Sequence, residues 1–185
     1  MRTRTPGASG LEHALLGLLR EQPMHAYEMY LQLQRTEQLG LVWHLKQGNL
    51  YALLASLEAD GYLVSSTEPQ GTRPPRKMLR LTPQGEASFA QWLATPVEHG
   101  RDFRQEFLAK LYFATHNGSG TVSDLVVRQQ DECRRWLDDL HVKGARQSTD
   151  RPFEQLVRRF RAGQIEATLH WLDECAEVFA APAHR

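Results

Sequence analysis

The chain has two cysteines in 185 residues, and Cys133 and Cys175 stand far apart, with no CxxC and no neighbouring histidine pattern. That spacing indicates neither a zinc site nor a disulfide framework. Both thiols read as small apolar packing groups. The eight histidines are scattered and no HExxH occurs, so no metal is expected. Glycine-rich phosphate loops and GxSxG are missing, and no nucleophile, acid and base converge on one loop-rich face. An enzyme is therefore not expected, nor a cofactor. No apolar run approaches the roughly 20 residues that span a bilayer. The first eight residues lack the apolar middle of a signal peptide, which points to the cytoplasm. Net charge is missing too: 22 Lys and Arg face 22 Asp and Glu, and residues 1–100 balance at nine each. Total charge thus does not advertise nucleic acid, and any such role must rest on how the charges are distributed.

The stretch from Leu45 to Pro83 carries most of the information. A helix is predicted over Lys46 to Asp60, because Leu50, Leu53, Leu54 and Leu57 recur at i, i+3, i+4 and i+7 and form one buried stripe. Its outer face holds Gly48, Ala52, Ala55, Ser56 and Ala59, where a solvated helix usually shows Lys and Glu. Small residues let a backbone approach a partner. Gly48 near the helix start suits a phosphate at unpaired N–H groups, and Gln47 and Asn49 have side chains able to pair with adenine in a major groove.

Gly61 suits a left-handed helix stop. Tyr62 to Thr67 and Lys77 to Thr82 read as strands, joined by a loop over residues 69–76 that Pro74 and Pro75 stiffen. From Arg73 to Arg80 four cations, Arg73, Arg76, Lys77 and Arg80, meet no acid along the chain. Helix, strand, basic loop and strand outline a winged helix-turn-helix, with helix 46–60 reading the groove and wing 69–77 touching phosphates. The same residues also fit a charged hairpin tip beside an alanine-rich surface helix.

Residues 1–8, with Arg2 and Arg4, form a flexible basic tail. Ser9 and Glu12 have capping-box spacing for a helix through Leu11, Leu15, Leu18 and Leu19. A second helix is predicted from about Met24 to Gln38, and Thr82-Pro83 should cap a further helix carrying Phe89, Trp92 and Leu93.

These elements come with Leu15-Leu16-Gly17-Leu18-Leu19, Pro23-Met24-His25-Ala26-Tyr27-Glu28, Gly48-Asn49-Leu50-Tyr51 and Leu57-Glu58-Ala59-Asp60-Gly61-Tyr62-Leu63. Arg73-Pro74-Pro75-Arg76-Lys77, Leu81-Thr82-Pro83-Gln84-Gly85 and the run from Glu106 to Ala114 follow. Taken in order, the series resembles the PadR family of bacterial transcriptional regulators over about residues 11–114. The resemblance implies a DNA-binding winged domain, a helical dimerisation region, and a repressor released by a small molecule or another signal. It also implicates Tyr51 in DNA contact, whereas the residue alone fits an aromatic packing under the wing. Two departures stand out. Lys46-Gln47 replaces the family's Ser-Pro, so base preference does not transfer, and Ala26 replaces a glycine. A winged helix used for protein contact without DNA is the alternative function.

Beyond Gly120, apolar residues from Val122 to Leu140 and from Phe153 to Phe179 repeat at three and four residues. Two long stripes on a short link predict an antiparallel helix pair, with stripes left over for a homodimer or for packing within the chain. The domains expected are thus residues 9–97, the winged helix-turn-helix, and residues 98–185, the helical dimerisation domain, in a mainly α protein with a small β-hairpin. Its partners would be an operator with an inverted repeat and a second copy of the chain, with no membrane. Trp92, Phe107, Trp136 and Trp171 form a candidate effector pocket of flat apolar walls. Aromatics at helical spacing equally describe plain core.

Overall fold

The computed structural model describes residues 10–35, 38–70, 73–145 and 151–180. Two compact units form: the chain through Ala94 together with Arg101–Phe113, and Thr95–Gly100 together with Ala114 onward. Compactness therefore does not follow a single cut at residue 97.

In the first unit α1 (Leu11–Glu21) starts after Gly10, whose φ of 67° is left-handed. A Cβ at Gly10 would also lie 2.8 Å from the Glu106 Cγ. Gly10, with no side-chain cap, therefore opens the helix, while Ser9 of the expected capping box lies outside the described residues. Leu15, Leu16, Leu18 and Leu19 are buried, as their spacing requires.

The helix predicted from Met24 begins two residues later. Met24 and His25 instead form β1, which pairs antiparallel with Leu79 and Met78, and α2 covers Ala26–Gln34. Met24 is nearly fully buried by this pairing, so a tertiary partner overrides its helical propensity. A 3₁₀ turn, Gln38–Leu41, leads on to α3 (Gln47–Ala59). That helix buries Leu50, Leu54 and Leu57. It ends in a Schellman motif: Gly61, at φ 81°, donates to the Glu58 carbonyl at 3.1 Å, and Tyr62 to that of Leu57 at 2.9 Å.

The wing is longer than expected. β2 (Leu63–Gln70) and β3 (Arg73–Leu81) pair antiparallel in a sheet of order β1-β3-β2, so most of the predicted loop over residues 69–76 is strand. Prolines are tolerated there for positional reasons. A register irregularity falls between Glu68 and Gln70, around Pro69. Pro74 and Pro75 fall in the same irregular stretch, between the Arg76–Glu68 and Arg73–Gln70 pairs, where neither is in register with a residue of β2.

Thr82 caps α4 (Pro83–Ala94) as its sequence predicts. Its hydroxyl accepts the Gly85 N–H at 3.1 Å and donates to the Gly61 carbonyl at 2.7 Å, tying this helix to the end of α3. After α5 (Gly100–Asp102) the helix takes a π-helical turn over Phe103–Phe107 and continues as α6 (Leu108–His116).

The second unit is the expected antiparallel pair, α7 (Ser119–Ala145) and α8 (Pro152–Ala180), with Gln130 donating to Asp173 at 2.7 Å. The buried amide of Gln129 clasps the backbone of Val97 through both donor and acceptor, at 3.1 and 2.7 Å. Val122, Leu125, Val126 and Cys133 are buried on α7. Burial pushes the Cys133 thiol up to about 11, so it behaves as packing material. The stripe of α8 is uneven: Leu172 and Cys175 are buried, but Phe153, Leu156 and Phe160 are 77%, 64% and 66% exposed. Among the described residues no helix is long and apolar enough to cross a membrane.

Gly17 sits where α1 meets the aromatic core. A Cβ there would lie 2.5 Å from Phe113 Cζ and 2.6 Å from Phe89 Cε2. Gly17→Ala should therefore cost about 1–3 kcal/mol through overpacking despite the gain in helix propensity, read as a lower midpoint in urea unfolding.

Candidate nucleic-acid interface

The outer face of α3 is open. Lys46, Gln47, Gly48 and Asn49 are exposed, and nothing lies within 4 Å of a Cβ built on Gly48. Lys46 stands at the N-cap position with extended backbone and no side-chain cap, as expected where Ser-Pro is absent. The turn leading into this helix is held by Gln34, whose amide donates to the Leu45 carbonyl at 2.8 Å. One turn along, Tyr51 is 44% exposed. With Ala52, Ala55 and Ala59 also exposed, α3 presents a surface that a groove can approach closely, with an amide side chain and a cation at its start.

The wing corrects the charge reading. Lys77 Nζ lies 2.7 Å from Glu58 Oε2 on α3, and Arg80 lies 3.0 Å from Glu68 on β2. Residues that meet no acid along the chain thus meet one across the fold. The Glu58 carboxylate, held below the usual carboxylate range by Lys77 and by the Ser65 hydroxyl, ties the end of α3 to both strands. Arg76 is exposed and has no ion pair among the described residues. For Arg73 the backbone is in β3, and its side chain lies outside what is described.

The aromatic candidates divide between the units. Trp92 and Phe107 are buried in the first, and Trp136 and Trp171 are half-buried in the second, where Trp136 Nε1 donates to Glu132 at 2.8 Å. Around Trp92 the core is polar. Its Nε1 donates to Glu106 at 2.9 Å, and Lys110, only 1% exposed, pairs with Glu106 at 3.0 Å and lies 5.2 Å from the Trp92 ring centre. His13 stacks parallel on the same indole at 5.3 Å. Sequence reasoning missed this cluster. Its trace was the i, i+4 spacing of Glu106 and Lys110 inside an otherwise apolar run.

A cleft of about 720 Å³ opens elsewhere in the first unit, walled by Tyr27 and Leu31 of α2, Tyr51 and Ala55 of α3, and Arg76 and Leu79 of β3. Its α2 wall was also missed, since neither Tyr27 nor Leu31 of the predicted second helix was among the candidate site residues. Among the described residues no group of three or more His, Cys, Asp or Glu could hold a metal ion.

Residues 15–91 match the family model for the transcriptional regulator PadR-like family, and residues 103–180 match that for the virulence activator alpha C-terminal region. The negative transcriptional regulator PadR of Bacillus subtilis is 31% identical over 130 residues, 70% of each chain. A probable transcriptional regulator of Mycobacterium tuberculosis is 26% identical over 184 residues, covering 91% of this chain and 96% of the relative. Among solved structures, Bacillus subtilis PadR in complex with operator DNA aligns at 27% identity, with 91% and 98% coverage and a TM-score of 0.44. The same protein with p-coumaric acid aligns at 23% identity, with 94% and 97% coverage and a TM-score of 0.40.

His13 supplies a measurable consequence of the polar core. Burial first, and the Lys110 charge second, lower its pKa from 6.5 to about 4. Between those values the unfolded chain binds the proton and the folded one does not, so this contribution is full above pH 6.5 and drains away as pH falls toward 4. Chemical denaturation across that window should show a decline of roughly 1–3 kcal/mol attributable to this residue. His13→Phe should flatten it, and an unchanged slope would contradict the assignment.

Proposed function

Because the chain belongs to the PadR-like family of transcriptional regulators, we propose that it is a sequence-specific DNA-binding repressor. It reads the major groove with α3 and grips phosphates with the wing. Families of this kind regulate and do not catalyse. The observation that carries the reading is the exposed, small-faced α3, with Gly48 in open space and Lys46, Gln47, Asn49 and Tyr51 around it. Arg76, and Arg73 on the same strand, supply phosphate contacts; Lys77 serves first to position the wing through Glu58. The name of the Bacillus subtilis relative, a negative regulator, supports repression. Release of DNA is attributed to a small molecule or another signal, with Trp92 and Phe107 of the first unit and Trp136 and Trp171 of the second as separate aromatic candidates, each pair within its own unit.

Binding to duplex DNA should fall steeply with salt. Arg76→Ala should weaken binding to all sequences alike and reduce the slope of log affinity against log salt by about one. Asn49→Ala should instead alter base preference by about 1–3 kcal/mol at one position. An Arg73→Ala/Arg76→Ala double variant that binds as well as the parent sinks the reading, and a chain with no salt-dependent DNA affinity would be a protein-contact module.

We also propose a homodimer through the helical unit. Phe153, Leu156 and Phe160 leave an apolar stripe on α8 that a second copy would cover. The operator should then be an inverted repeat whose half-sites lie about 34 Å apart or a multiple of it. Sedimentation should show a dimer at micromolar protein, and Phe160→Glu should shift it to monomer and abolish protection of a two-fold site.

A further inference from the structure

The cleft between α2, α3 and β3 is concave, and three elements bring apolar side chains to it without covering them. Tyr27 and Leu31 are 54% and 48% exposed, Tyr51 stands across from them on α3, and buried Leu54 and Leu79 complete the lining. Single exposed apolar residues are ordinary, but several converging on one hollow are not. At about 720 Å³ the hollow falls within the range of small-molecule sites.

Its charges identify the class of ligand. Four ionised side chains line it, Glu28, Glu58, Arg76 and Lys77, and they sum to zero. Glu58 and Lys77 are spent on each other, which leaves one acid on α2 and one cation on β3. His25 turns its Nδ1 to the Lys77 carbonyl at 3.3 Å. An organic ion would gain one partner here and face one repulsion. An uncharged body would bury apolar surface against the tyrosine rings and leucines, and the tyrosine hydroxyls could orient a polar substituent.

We propose that this cleft binds an uncharged, largely apolar and flat small molecule, and that its occupancy excludes DNA from α3 and the wing. The second half rests on the DNA-reading function, since ligand and duplex would share Tyr51 and Arg76. The effect would be direct competition on one surface, with no change of shape to transmit.

Nile red, an uncharged flat dye, tests the site on the full chain. Its fluorescence should rise and shift to the blue in a saturable titration, and anionic anilinonaphthalene sulfonate should bind more weakly. Ala55→Trp fills the hollow from an exposed helix position and should weaken Nile red about tenfold. Leu31→Glu, on a different helix, should do the same, so that a folding failure of either variant, checked by circular dichroism, leaves the other to decide. Binding indifferent to both variants, or lost instead with Phe153→Ser and Phe160→Ser on α8, overturns the site. Duplex DNA should displace the dye, and dye and DNA bound together would overturn the competition. A chain that binds Nile red in an Ala55-dependent way but binds no DNA keeps the cleft and refutes the regulator. One that binds DNA while Nile red ignores the cleft does the reverse.

Discussion

Lys110 places an ammonium inside the winged unit, and a buried charge without a partner would cost several kcal/mol. Everything next to it answers that demand. Glu106, one helical turn earlier, supplies the opposite charge, Trp92 donates to the same carboxylate oxygen and lays its ring near the ammonium, and His13 remains neutral against the indole. These groups come from α1, α4, α6 and the π-helical turn. The pair therefore draws residues 101–113 into a unit whose other elements end at Ala94. Gly10 and Gly17 belong to the same arrangement, since each leaves the space that Glu106 or Phe113 occupies.

A second ion pair does comparable work where DNA would be read. Glu58 sits at the end of α3 and takes the Lys77 ammonium and the Ser65 hydroxyl, one from each strand of the wing. An exposed pair of this kind contributes little stability. Its value lies in geometry, because it ties α3 to β2 and β3, the elements proposed to read the groove and grip phosphates. Thr82 adds a third tie by bonding the carbonyl that ends α3 while capping α4. Recognition helix and wing are thus held as one piece.

Local signals proved legible. Four leucines at helical spacing located α3 almost to the residue, Gly61 marked its Schellman end, and Thr82-Pro83 marked the start of α4. What the sequence hid was tertiary. Two residues, Met24 and His25, become a strand because β3 lies alongside, and no propensity of a dipeptide could show it. Basic residues 73–80 looked unopposed because Glu58 is nineteen positions away from Lys77 in the chain and adjacent only in space. Trp92 was visible as an aromatic at helical spacing, but its engagement with His13, Glu106 and Lys110 depends on three separate segments.

Those pairings bear on how a chain of zero net charge would hold a polyanion. Arg20, Lys77 and Arg80 are committed to Glu86, Glu58 and Glu68. Lys46 and Arg76 are the exposed cations of α3 and β3 without an ion pair among the described residues. Counterion release scales with the number of phosphates neutralised, so a winged unit that relied on these two alone would hold DNA weakly at physiological salt. Two units linked in a dimer make the second engagement intramolecular, and the effective concentration multiplies affinity without a new contact. If the proposed dimer forms through the exposed stripe of α8, that stripe and the described cations of the winged unit would work together. In such a dimer weak single contacts would suffice in pairs, and a ligand that dislodged one of them would remove the gain from pairing.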